Sequence, residues 1–202
     1  MALYSSETGL DSHRVRFVIA EKGINVDIVN VSQDESAAAD LAELNPYNQA
    51  PTLVDRDLVL YNADVINDYL DERYPHPPLM PVDPVSRAQL RLLHHRIMND
   101  WFSLAYEIEA STGKTAEQAA RQLKESLIAA NELFKIQAFL LSDELTLVDC
   151  MLGPLMWRLS LYGVKLGKPG ASIEIYAQRI FSRASFKTSL TMAERELVLG
   201  VS

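Results

Sequence analysis

The chain has 202 residues, a net charge of −8 and 48% apolar residues, a composition typical of a globular protein with room for a sizeable core. Acidic residues are concentrated in its first part: residues 1–83 contain 15 Asp and Glu against 5 Lys and Arg, a net charge of −10. Because binding to a phosphate backbone needs Lys and Arg, we expect no direct binding to nucleic acid. The acidic part is compatible with docking onto a basic protein surface, or with a role in solubility alone.

The cysteine count and the apolar stretches limit the cellular setting. The single cysteine, Cys150, cannot form a disulfide within the chain, which favours a reducing compartment. The first residues lack a basic region followed by an apolar run, so we predict no signal peptide. The most apolar stretch, residues 145–164, contains Asp149 and Arg158, which favours a buried helix over a membrane span. The sequence therefore predicts a cytoplasmic protein without membrane association.

The first part of the chain alternates predicted strands and helices. Residues 2–5 predict a strand, and a helix follows with Ser12 as a possible cap and Gly23 as its stop. Residues 26–31 predict a second strand and residues 36–44 a short helix. Two further strands and a helix ending near residue 74 complete a β-α-β-α-β-β-α order. This order is that of a thioredoxin-like domain, in which Pro51 stands where such domains carry a cis-proline.

The rest of the chain is predicted to be helical. Residues 75–84 contain five prolines and predict an ordered linker. Residues 85–110 predict one long helix, whose apolar stripe is Leu90, Leu93, Ile97, Trp101, Leu104 and Ile108. A second apolar face, formed by Met98, Phe102 and Tyr106, suggests contact with another subunit. Shorter helices are predicted over residues 115–134, 147–162, 172–183 and 185–190.

These elements predict an α/β thioredoxin-like domain over residues 1–74, a linker over residues 75–84 and an all-α domain over residues 85–202. Within the second domain, Thr146 and Asp149 have the spacing of a helix capping box. This spacing favours a structural role for Asp149 over a catalytic one. His94 and His95 are adjacent on a helix and point about 100° apart, so they cannot chelate one metal together. We predict no metal site.

Two motifs give the chain a resemblance to a known superfamily. APTLVDRD contains Pro51, and LTLVD contains the capping-box residues. On these motifs the chain resembles the glutathione transferases, which implies their two-domain fold. The stretches SHRVRFVIAEKG, PTLVDRDLVLY, YLDERYPHPPLMPV and FLLSDELTLVDC are more narrowly similar to the bacterial stringent starvation protein A family. That resemblance implies a homodimer that regulates transcription in the starvation response by binding the RNA polymerase holoenzyme, through a sigma factor or a core subunit.

The same resemblance argues against catalysis. A glutathione transferase needs a hydroxyl or thiol near the start of its first helix, and the resemblance places Gly9 there, with Ser5, Ser6 and Thr8 as nearby alternatives. Where the superfamily holds the glutamyl end of glutathione with an acidic residue and a serine, this chain has Asn62 and Ala63. We therefore predict no catalytic residue and no cofactor. The alternative function is a glutathione-dependent transferase.

The predicted partner-binding site is the proline segment, which we define as Pro75, His76, Pro77 and Pro78. Prolines restrict the backbone, so a surface built on them loses little entropy on binding. The family resemblance implies that this segment contributes to a surface pocket used with the polymerase, with Tyr69 and Tyr74 as possible walls. The alternative is a linker between the two domains without a binding role.

Overall fold

A computed structural model describes residues 1–199 of the chain. Its contacts divide the chain into two compact units. The first unit comprises Met1–Pro78 together with Ala184–Leu197, and the second comprises Leu79–Arg183 together with residues 198 and 199. Among the described residues, none of the helices combines the length and the apolar character needed to cross a bilayer.

The first unit is built on a mixed four-stranded sheet. Its strands are β1 (Ala2–Ser5), β2 (Asp27–Asn30), β3 (Thr52–Asp55) and β4 (Leu58–Tyr61). They lie in the order β2-β1-β3-β4, with β1 and β2 parallel and the other two pairings antiparallel. Leu3 pairs with Leu53 across β1 and β3, and both are almost fully buried. The α/β architecture predicted for the first part of the chain is therefore confirmed.

Three helices connect these strands and follow them. They are α1 (Leu10–Lys22), α2 (Glu35–Leu44) and α3 (Ala63–Arg73). Helix α1 ends at Gly23, whose left-handed φ of 61° is the conformation that glycine adopts most readily at a helix end. The predicted cap of this helix is wrong: Gly9 is the N-cap, and Ser12 lies inside the helix, where its Oγ accepts a hydrogen bond from the Ser6 amide at 3.0 Å.

Residues 184–197 also belong to the first unit. Helices α9 (Ala184–Ser189) and α10 (Met192–Leu199) follow the second unit, and α9 packs against α1. The Phe186 ring meets the Phe17 ring edge-on at 5.1 Å between centroids. His13 is buried inside α1, and its Nε2 lies 3.0 Å from Ser189 Oγ. The predicted boundaries of 1–74 and 85–202 stay a prediction, and this division by contacts differs from them at residues 184–197.

The second unit is helical. Its helices are α4 (Pro84–Ile97), α5 (Ser103–Ala110), α6 (Lys114–Ala129), α7 (Leu147–Arg158) and α8 (Ala171–Ser182), with short 3₁₀ turns at Asn131–Lys135 and Lys168–Gly170. Helix α7 contacts both α4 and α8, and its side chains Cys150, Leu152 and Leu155 have no exposed area. This apolar helix therefore lies at the centre of the unit's core, as a helix that is apolar nearly all round should.

The predicted long helix over residues 85–110 is interrupted by a π-helical turn, Met98–Phe102. A π turn accommodates one extra residue, so the residues after it are rotated relative to a regular α-helix. Trp101 and Phe102 are consecutive, and both are buried. We assigned Phe102 to a second face for another subunit, but it is fully buried in its own unit, where its ring lies 5.9 Å from that of Tyr106.

Candidate partner-binding site

The proline segment lies at the surface of the first unit, directly after α3. Tyr74 is the C-cap of that helix, and its amide donates to the Leu70 carbonyl at 3.0 Å. All four residues of the segment are exposed, whereas the next residue, Leu79, is 2% exposed. The segment therefore offers its pyrrolidine rings and the His76 imidazole to solvent.

A buried lysine contacts this segment from inside the unit. Lys22 lies in the last turn of α1, and its side chain has no exposed area. Its Nζ donates to Asp71 Oδ1 at 2.5 Å, to the Tyr74 carbonyl at 2.7 Å and to the Pro77 carbonyl at 2.5 Å. An ammonium group has three N–H donors, so these three bonds use all of them. Lys22 thus joins the end of α1, the end of α3 and the proline segment.

The two tyrosines predicted as pocket walls have different positions. Tyr74 is half-buried, and the Arg73 guanidinium lies 5.7 Å from its ring centroid. Tyr69 donates its hydroxyl hydrogen to Asp55 Oδ2 at 2.6 Å, at the end of β3. This hydrogen bond to Asp55 raises the pKa of Tyr69. The structure therefore brings Tyr74 together with the proline segment through Lys22, while the Tyr69 hydroxyl is engaged elsewhere.

Neither Lys22 nor Asp71 could be assigned to this site from local sequence patterns. Lys22 precedes the glycine that ends α1, where a basic residue is common because it compensates the helix dipole. Asp71 lies on α3 within the charged run that precedes the prolines. Their contact joins positions 49 residues apart, so it is visible only once the helices are packed.

Two of the positions considered for a transferase thiolate, Gly9 and Ser5, have close structural neighbours. A side chain at Gly9 would start with its Cβ 3.0 Å from the Ser6 Cβ, so a larger residue there would press on the β1–α1 loop. Ser5 is buried, and its Oγ accepts a hydrogen bond from Arg16 Nη1 at 2.6 Å. The Ser5 hydroxyl, one of our alternatives to Gly9, therefore serves to bind Arg16.

The first backbone amides of α3 donate to the side chain of the helix's own N-cap residue. Asn62 is the N-cap in a left-handed conformation with φ of 74°, and its Oδ1 accepts from the Asp64 amide at 2.8 Å. Ala63, the next residue, is 4% exposed and carries no polar group. Backbone amides at a helix N-terminus are the usual donors for an anionic ligand group. Here the capping side chain takes two of them, the amides of Asp64 and Val65.

Two features were predicted from the sequence to have structural roles, the proline at position 51 and the capping box of α7. The Ala50–Pro51 peptide bond is cis. Thr146 and Asp149 form a capping box at the start of α7, in which the Thr146 amide donates to Asp149 Oδ2 at 2.8 Å. Asp149 also accepts from the Leu140 amide at 3.1 Å and from the Tyr176 hydroxyl at 2.6 Å. Burial raises the pKa of Asp149, while these hydrogen bonds act in the opposite direction.

Two family models and a solved structure match this chain. Residues 3–78 match the family model of the glutathione S-transferase N-terminal domain, and residues 94–184 match that of the C-terminal domain. A glutathione S-transferase structure from Methylobacillus flagellatus superposes with a TM-score of 0.82 at 23% identity, covering 95% of this chain and 99% of that one. At this identity the likeness shows the fold alone, and it confirms the predicted glutathione transferase-like architecture.

Two curated relatives are much more similar in sequence. A stringent starvation protein A homolog from Coxiella burnetii is 48% identical over 198 residues, which cover 98% of this chain and 94% of that protein. A homolog of the same name from Haemophilus ducreyi is 45% identical over 192 residues, covering 94% of this chain and 89% of that protein. The chain therefore belongs to the stringent starvation protein A family and has the fold of the glutathione transferases.

Proposed function

We propose that this protein is a regulator of transcription in the starvation response, which acts by binding the RNA polymerase holoenzyme without catalysis. The observation that carries the proposal is the exposed proline segment, held from inside the unit by Lys22. A binding surface that is ordered before it meets its partner loses less entropy on association. The contact on the polymerase is a sigma factor or a core subunit.

The charge of the first part of the chain supports binding to a basic protein surface. Residues 1–83, which include the proline segment, carry a net charge of −10. Glu72 is exposed just before the segment. Complementary charge mainly speeds encounter and improves specificity, whereas buried contacts at the centre of an interface determine the affinity. We assign the first role to the acidic surface and the second to the proline segment.

Replacing Pro75, His76 and Pro77 together by alanine should weaken binding to purified polymerase holoenzyme by a few kcal/mol, the range typical of a small interface hot spot. Surface plasmon resonance with immobilised holoenzyme measures this loss. Binding of the parent protein should also weaken as salt rises, because exposed charges are screened over roughly 8 Å at physiological ionic strength.

Pro169→Ala is the matched control for this experiment, because Pro169 is also an exposed proline but lies in the second unit. It should bind the polymerase as the parent protein does. A correctly folded triple variant with unchanged affinity would show that the proline segment is only a linker and that the binding surface lies elsewhere.

We also propose that the protein acts as a homodimer that uses α3 and α4. Val65 on α3 is 49% exposed, and on α4 the exposed fractions of Val85 and Leu92 are 68% and 62%. Large apolar side chains in two helices favour an isologous contact, in which the same faces meet around a two-fold axis. Light scattering of the polymerase-binding samples should therefore give twice the 22.6 kDa chain mass for the parent and for the triple variant.

The second candidate function is a glutathione-dependent transferase, which the match to both glutathione S-transferase domain models favours. We expect background conjugation of glutathione to a generic electrophile and no retention on immobilised glutathione, because Gly9, Asn62 and Ala63 lack the groups that such a site needs. The double change Asn62→Glu and Ala63→Ser should raise glutathione affinity, measured by calorimetry, more than turnover. Strong parental turnover that Ser5→Ala or Thr8→Val abolishes would instead support the enzyme.

A further inference from the structure

The backbone of the proline segment cannot be held by backbone hydrogen bonds of its own. Proline has no N–H, so the four residues of the segment carry a single backbone donor, that of His76. Its carbonyl oxygens nevertheless require donors wherever they face the interior of the unit. Within the segment only the His76 amide can supply one, so the other donors must come from other parts of the chain or from solvent. The Pro77 carbonyl receives its donor from Lys22.

Lys22 is suited to this task by its chemistry and its position. Its ammonium group presents three donors in a tetrahedral arrangement, whereas an arginine would present a flat fork. The three acceptors come from a carboxylate on α3, from the carbonyl of the α3 C-cap and from the proline segment. Asp71, only 11% exposed, supplies the counter-charge that a fully buried ammonium requires.

We propose that Lys22 is the positioning residue of the partner-binding site. It holds the carbonyl groups of Tyr74 and Pro77 by hydrogen bonds inside the unit. The rings of the proline segment therefore face solvent in one arrangement. This inference rests on the proposed function, because Lys22 acts on partner binding only through the order of the proline segment. Lys22 itself does not touch the partner. Without Lys22 the segment still has its prolines and still follows α3, but it loses its hydrogen bond to α1.

The test is Lys22→Met, which keeps the unbranched, apolar part of the side chain and removes its donors. Arg14→Met is the matched control, because Arg14 is another buried cation of α1 and pairs with Asp11 and Asp64, away from the segment. We expect Lys22→Met to weaken polymerase binding roughly tenfold, the amount that ordering about one or two side chains costs. Arg14→Met should leave the affinity within about twofold of the parent, below the cost of ordering one side chain.

Two readouts distinguish positioning from general stability. In the background of the triple alanine variant, Lys22→Met should cause no further loss of affinity, because effects on one contact are not additive. The chain has only four histidines, so isotope labelling of histidine gives few imidazole signals and that of His76 can be assigned by its loss in His76→Ala. This signal should be a single sharp line in the parent and in Arg14→Met, and broadened or multiple in Lys22→Met.

Every outcome bears on the proposal. An unchanged His76 signal in Lys22→Met, or an affinity equal to that of the parent, overturns the positioning role. If the triple alanine variant binds as the parent does, the polymerase proposal fails, and the His76 signal alone decides whether Lys22 orders the segment. If Lys22→Met does not fold, Asp71→Asn replaces it: this variant removes the counter-charge, keeps both carbonyl contacts and should broaden the His76 signal to a smaller extent.

Discussion

Replacing Glu194 by alanine should lower the free energy of unfolding by about 3–5 kcal/mol, because it leaves a buried arginine without its counter-charge. Glu194 is 2% exposed, and its Oε1 lies 2.8 Å from Arg16 Nη2 and 3.5 Å from His13 Nδ1. Arg16 retains Ser5 Oγ and the Ser189 carbonyl as acceptors after the change. We therefore expect a value near the lower end of this range.

Urea unfolding followed by far-ultraviolet circular dichroism measures this loss in the first unit. Tryptophan fluorescence is less suitable there, because Trp101 and Trp157 both belong to the second unit. Glu196→Ala is the control, since Glu196 is exposed on the same helix. If the two variants lose the same stability, Glu194 does not hold the end of the chain on α1.

Replacing Asp149 by alanine should cost about 3 kcal/mol of stability, because it leaves several buried donors without an acceptor. These donors are the amides of Leu140 and Thr146, the Thr146 hydroxyl and the Tyr176 hydroxyl. The loss should be smaller than the sum of four hydrogen bonds, since removing the carboxylate also removes its desolvation penalty, the same cause that raises its pKa.

Here tryptophan fluorescence is the direct measurement, because Trp157 lies on α7 together with Asp149. Asp149→Asn keeps the shape of the side chain but turns an NH₂ group toward donors, so we expect an intermediate loss. In a double-mutant cycle, Tyr176→Phe should destabilise the parent but have little effect in the Asp149→Ala background. Independent, additive losses would contradict the shared network.

The parts of the fold that follow local rules could be predicted from the sequence. The capping box depends on two residues three positions apart, and the strands follow from short apolar runs between turn residues. The cap of α1 could not be identified in this way. Gly9 offers no side-chain signal, and the hydroxyl of Ser12, a typical capping residue, binds the Ser6 amide instead.

Contacts between residues far apart in the chain could not be predicted from the sequence. Lys22 and Pro77 are 55 positions apart, and Arg16 and Glu194 are 178 positions apart. Lys22, Arg16 and Glu194 each have an ordinary local explanation as part of a charged helix. Only the packing of the unit turns them into buried pairs. The π turn was missed for a different reason, since a single extra residue barely disturbs an apolar repeat of three and four.

The return of α9 to α1 has a consequence for how the protein is made. A ribosome delivers the chain from its amino end, so all residues of the sheet and of α1 emerge long before residues 184–197. Until that segment arrives, the nascent first unit carries the Arg16 guanidinium without its carboxylate and the Phe17 ring without Phe186. The first unit is therefore completed only after residues 184–197 have been synthesised. A message truncated before residue 184 would yield a chain whose first unit remains open to chaperones and proteases.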